Sequence, residues 1–108
     1  MPFRDLEPAQ ALKDLRSEAT LRVLDVRTKP EYDAYHIRDA VLVPIQELQE
    51  RLQELDSAGS WLVTCEHGVR SMAACEFLAS IGFQDIRKVS GGMARWIGEG
   101  LPLDPSEE

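Results

Sequence analysis

The chain has 108 residues and a formal charge of −7, from 19 acidic and 12 basic side chains. That length points to one domain able to bury roughly two-thirds of its unfolded surface, and the negative balance argues against a nucleic-acid partner. No apolar run approaches a membrane span. The two cysteines, Cys65 and Cys75, are too few for a disulfide framework and lack the spacing or the histidine cluster of a zinc site.

Met1 to Asp5 carries no apolar signal region, so a reducing, cytoplasmic setting with free thiols is expected. Pro2 to Leu6 reads as a short edge strand. Pro8 to Arg16 opens with proline, a favoured first helical residue, and turns Leu12 and Leu15 inward. Leu21 to Val26 is short, apolar and β-branched, the pattern of a buried strand. Pro30 to Tyr35 is a short helix, followed by a strand at Val41 to Val43. Ile45 to Leu55 predicts a helix with Leu48, Leu52 and Leu55 on one face. Trp61 to Thr64 is a further strand. Arg70 to Ile81 predicts a helix with Ala74, Phe77, Leu78 and Ile81 inward and Gly82 as its cap. Ile86 to Val89 is a strand, and Gly91-Gly92 begins a last helix through Trp96 and Ile97. The acidic tail, residues 104–108, is expected to fray.

Strands alternating with helices imply an α/β fold with a parallel sheet. Such sheets bind ligands beyond the carboxyl ends of their strands. The segment after Thr64 reads Cys65-Glu66-His67-Gly68-Val69-Arg70-Ser71 and runs into a helix. Gly68 permits a tight turn, and successive amides there can form an anion-binding nest. The positive end of the following helix and the Arg70 guanidinium add to it. These features favour thiolate over thiol. Taken alone, Cys65 reads equally well as a buried core residue; the glycine, arginine and helix start behind it point to a nucleophile.

Cys65-x-x-Gly68-x-Arg70-Ser71 resembles the active-site loop of the rhodanese-like (thiosulfate sulfurtransferase) family. Leu24-Asp25-Val26-Arg27-x-x-x-Glu31-Tyr32, His36-Ile37-x-x-Ala40, Gly82-Phe83 and Val89-x-Gly91-Gly92-x-x-x-Trp96 resemble its other signatures, in order. The resemblance runs from about Leu6 to Leu103, so residues 1–103 are expected to form a rhodanese-like three-layer domain and 104–108 an acidic tail. It departs at Tyr35, where the family usually has glycine, and at Arg38-Asp39, which replace Pro-Gly.

The resemblance implies a sulfurtransferase. Cys65 would take a sulfane sulfur from thiosulfate or a persulfide and pass it to a thiol, cyanide or a protein acceptor. Glu66, His67, Gly68, Val69, Arg70 and Ser71 would form the persulfide-binding loop. Family sulfurtransferases place four residues between cysteine and arginine, as here, whereas phosphatases and arsenate reductases of the same fold place five. No metal, cofactor, nucleic acid or membrane is expected to take part.

Asp25, Arg27 and Trp96 are expected to support the site. Arg27 is placed to pair with Glu31 and pin the helix after it, while Asp25 could brace the loop. Trp96 reads as core, on a helix that the resemblance puts near the pocket. His36 reads as a hydrogen-bonded structural histidine and Cys75 as buried packing. His67 reads either as a contributor to positive potential or as an exposed loop residue. Glu66, if aimed at the pocket, would disfavour a dianionic donor; aimed at solvent, it would matter little. A sulfur-relay module serving a partner protein is the alternative function, ahead of a phosphatase or a non-catalytic interaction domain.

Overall fold

The computed structural model describes residues 2–107. Met1 and Glu108, which begin the expected leader-free segment and end the acidic tail, lie outside the described residues.

Five short strands form one parallel sheet: β1 (Arg4–Leu6), β2 (Leu21–Asp25), β3 (Val41–Leu42), β4 (Ser60–Thr64) and β5 (Asp85–Val89), in the order β1-β5-β4-β2-β3. Four helices connect them: α1 (Pro8–Ser17), α2 (Lys29–Ala34), α3 (Val69–Ser80) and α4 (Gly92–Gly98). Parallel pairing needs crossovers, and the crossovers cover both faces of the sheet. The central strands therefore carry apolar residues on both sides. Leu24, Val26, Trp61, Val63 and Ile86 face α3; Val23, Leu62 and Val89 face α1 and α4. The α/β architecture expected from the alternating pattern is the one observed.

Three local expectations are corrected. The span Ile45–Leu55 is two 3-10 turns, Ile45–Glu47 and Leu52–Glu54, not one helix. Leu48 and Leu55 are buried as expected, but Leu52 is only half-buried. The segment has to return from the edge strand β3 to the start of β4, and a 3-10 path rises about 2 Å per residue against about 1.5 Å for an α-helix. That tertiary demand overrides helix propensity.

The second concerns α3, which buries Ser71, Ala74, Cys75 and Leu78 and leaves Ile81 exposed and Phe77 half-buried. Its inward stripe is set by Ser71, which has to face Cys65. The third is the tail through Glu107. The Arg16 guanidinium donates to the Pro105 carbonyl at 2.8 Å and to the Glu107 carbonyl, and Arg38 pairs with Asp104 at 3.0 Å. The tail to that point is tied to the body. No helix among the described residues is long and apolar enough to cross a membrane.

Candidate active site

Cys65 follows the last residue of β4 and is 1% exposed. Its Sγ accepts hydrogen bonds from the amides of Gly68 (3.0 Å) and Ser71 (3.2 Å) and lies 3.3 Å from Ser71 Oγ. The first amides of a helix have no intrahelical partner. Here Gly68 is the N-cap of α3, in the left-handed region at φ 96°, and that turn aims two of the orphan amides at sulfur. The helix ladder does not use the amides of Val69 and Arg70 either, which also belong to the first turn. The start of α3 adds its positive pole. Of the expected loop residues, Gly68 and Ser71 contact the sulfur directly.

A second helix fixes the loop from behind. The Met93 amide donates to the Cys65 carbonyl at 2.8 Å, and the Ala94 amide to the Glu66 carbonyl at 2.9 Å. These are orphan first-turn amides of α4. The approach is closer than a side chain allows: a Cβ on Gly92 would stand 2.6 Å from the Glu66 carbonyl oxygen and against that of Cys65. Gly92 reads from sequence only as a helix start; its further role is this contact.

The charges are arranged differently from the sequence expectation. Arg27 does not pair with Glu31. Its guanidinium donates to Asp25 (2.8 and 3.0 Å), to Glu66 (3.1 Å) and to the Tyr35 carbonyl (2.7 Å). Arg27 and Asp25 are fully buried, so the nearest carboxylate on the same side of the sheet end captures the guanidinium. Burial alone would lower the Arg27 pKa; the hydrogen bonds it donates to Asp25 and Glu66, with their negative charge, outweigh that and hold it above its ordinary value.

Glu31 instead binds Arg70 through two bonds of 2.7 and 2.8 Å. Arg70 holds the Glu31 carboxyl down at about 2, with Thr28 adding to the effect against burial. Thr28 and Glu31 also form the capping box of α2. Glu66 points neither into the pocket nor into open water. It turns aside to Arg27 and to the Tyr35 hydroxyl, which donates at 2.9 Å.

Residues 8–99 match the family described as the Rhodanese-like domain. This chain belongs to that family. It is 33% identical over 103 residues to the thiosulfate sulfurtransferase GlpE of Actinobacillus pleuropneumoniae, covering 94% of each chain. Among solved structures it resembles a rhodanese-related protein from Thermoplasma volcanium, with TM-score 0.84, 36% identity and coverage of 93% of this chain and 96% of the other. It also resembles part of a NAD-dependent persulfide reductase from A. fulgidus, with TM-score 0.70, 33% identity and coverage of 88% of this chain but 16% of that one.

In this rhodanese-like domain the remaining expected residues divide. His67 is exposed, and Val69 is 78% exposed at the mouth of the loop. Trp96 is buried core, its indole N–H donating to the Pro102 carbonyl at 3.0 Å; its helix reaches the loop through Met93 and Ala94, not through the indole. His36 Nδ1 lies 2.7 Å from the Tyr32 carbonyl oxygen, and its ring stacks on Tyr32. Both cysteines are free thiols, and burial pushes Cys75 up to about 12, far from reactive at neutral pH.

Sequence reasoning saw Tyr35 only as a departure from the motif; the structure makes it a partner of Glu66. A cleft of about 750 Å³ between α1, the start of β2 and the tail lies at the opposite end of the strands, and no cysteine lines it. Cys65 lies at the carboxyl end of β4, the end at which parallel α/β sheets bind ligands.

Proposed function

We propose that this rhodanese-like domain is a sulfurtransferase that carries sulfane sulfur as a persulfide on Cys65. The observation that carries the reading is the pair of amide bonds from Gly68 and Ser71 to Sγ, inside a loop with four residues between Cys65 and Arg70. That environment stabilises an anion on sulfur at a buried position.

In the first step the Cys65 thiolate attacks the outer sulfur of a donor such as thiosulfate. A new S–S bond forms, the donor's S–S bond breaks, and sulfite leaves with the electron pair. The persulfide is anionic at its outer sulfur, and the first-turn amides of Val69 and Arg70, unused by the helix ladder, would receive it. In the second step an acceptor nucleophile, cyanide or a thiolate, attacks that outer sulfur and Cys65 leaves as thiolate. The cycle returns the enzyme unchanged, with ping-pong kinetics. Ser71 Oγ can donate to Cys65 in both anionic states, and Arg70 sits where a doubly negative donor approaches.

Intact-mass measurement tests the reading. Incubation with thiosulfate should add one sulfur atom, and cyanide should remove it. Cys65→Ser should abolish both, while Cys75→Ser retains most transfer. A folded but dead Cys75 variant beside an active Cys65 variant would overturn the assignment.

A second reading makes the domain a relay that exchanges sulfur with another protein. The likeness to a small part of a persulfide reductase favours it. A persulfide that forms readily on Cys65 while thiosulfate turns over slowly would select the relay.

A further inference from the structure

Lys88 lies near the carboxyl end of β5, opposite Val63 of β4 in the parallel register. Side chains alternate across a sheet, and Val63 and Ile86 face α3, so Lys88 enters the same layer as Cys65 and Cys75. An ammonium buried in an apolar layer needs a partner. Lys88 has Asp5 of β1, with Nζ 3.3 Å from Oδ1. The pair is lopsided: the Lys88 side chain is 5% exposed and that of Asp5 34%. Water screens the carboxylate more than the cation.

On its other side the ammonium meets the loop. A Cβ on Gly68 would stand 3.3 Å from Lys88 Nζ and 3.4 Å from the Gly91 amide nitrogen. Lys88 Nζ therefore lies close against Gly68, the residue whose N–H donates to Cys65 Sγ. Arg70 is the other cation near the sulfur, but it is held twice by Glu31 at the rim. Lys88 holds one long bond and lies on the dry side.

We propose that Lys88 is a positioning residue for Cys65: its buried ammonium, lodged behind Gly68, keeps the sulfur anionic through the thiolate and persulfide states, and Asp5 sets how strongly. The inference rests on Cys65 being the nucleophile. The charged and titratable groups packed around that loop are Glu66, turned aside to Arg27 and Tyr35, with Arg27 held in turn by Asp25 of β2; exposed His67; Arg70 of α3, held by Glu31 of α2; Cys75 of α3; and Lys88 of β5, backed by Asp5 of β1. Coulomb interactions across protein interior fall off less than through water, so one charge removed behind the loop is felt at Sγ.

The rate of Cys65 alkylation by a neutral reagent, followed by intact mass across pH on the full chain, tests this. Lys88→Met should raise the midpoint by about 0.5 to 1 pH unit. Asp5→Asn should lower it by about 0.2 to 0.5 unit, because it removes the opposing charge. A purely structural ion pair would lower the melting temperature of both variants without moving the midpoints apart.

The inference is overturned if folded Lys88→Met keeps or lowers the midpoint, or if Asp5→Asn keeps or raises it. If Lys88→Met does not fold, the Asp5→Asn shift decides alone. Failure of the Cys65 reading is separate: the wild-type chain would then take up no sulfur from thiosulfate, whatever the midpoints.

Discussion

Two arginines close ion pairs beside the loop, and water divides them. Arg27 is 0% exposed and fixed by Asp25, Glu66 and the Tyr35 carbonyl; Arg70 is 32% exposed and fixed by Glu31 alone. A buried pair is a scaffold, because losing either partner strands a charge in a dry interior. A rim pair contributes little stability and can exchange its partner for a substrate. The same residue type thus stands in two settings, one dry and one wet, and the fold assigns them.

The sharpest way to break that comparison is Arg27→Met. It leaves Asp25 buried and unpaired, so unfolding in urea should show a loss of about 3 to 5 kcal/mol; a loss below about 1 kcal/mol would make Arg27 another rim residue. Arg70→Gln should cost at most about 1 kcal/mol of stability. It should lower kcat/KM for thiosulfate about tenfold, the equivalent of one charge-assisted hydrogen bond.

Acid titration separates the pairs further. Glu31 is held at about 2 against its ordinary 4.5, first by the Arg70 hydrogen bonds. A depressed carboxyl adds stability that is complete above its unfolded value and lost as pH falls through the folded one. The stability gap between wild type and Glu31→Gln should therefore close as pH drops from 4.5 to about 2. A gap that persists to the bottom of that window would mean Glu31 acts through its capping of α2 instead.

The smallest effect belongs to Glu66→Gln. Its carboxylate is already engaged by Arg27 and Tyr35, so the thiosulfate KM at low salt should fall only about two- to threefold. A tenfold fall would show that the carboxylate faces the incoming donor after all.

The loop was legible because its parts are contiguous: strand, cysteine, glycine, helix start. The parallel sheet was legible because fully buried strands read as short apolar runs. Partner choice was not. Glu31 follows Arg27 by four residues, yet it crosses to Arg70, and the carboxylate two residues before Arg27 takes its place. Sequence separation carries no information about which charges share a dry side. The helix expected over Ile45–Leu55 failed for a related reason, since the path back to β4 is set by distance, not propensity.

The grip of α4 on the carbonyls of Cys65 and Glu66 has a consequence for biosynthesis. Cys65 is made before the two amides that fix its peptide, which belong to residues 93 and 94. A nascent chain that has emerged only through α3 carries the thiol and its helix without the brace. A product truncated before α4 would keep the cysteine and lose the two amides that hold its peptide in shape.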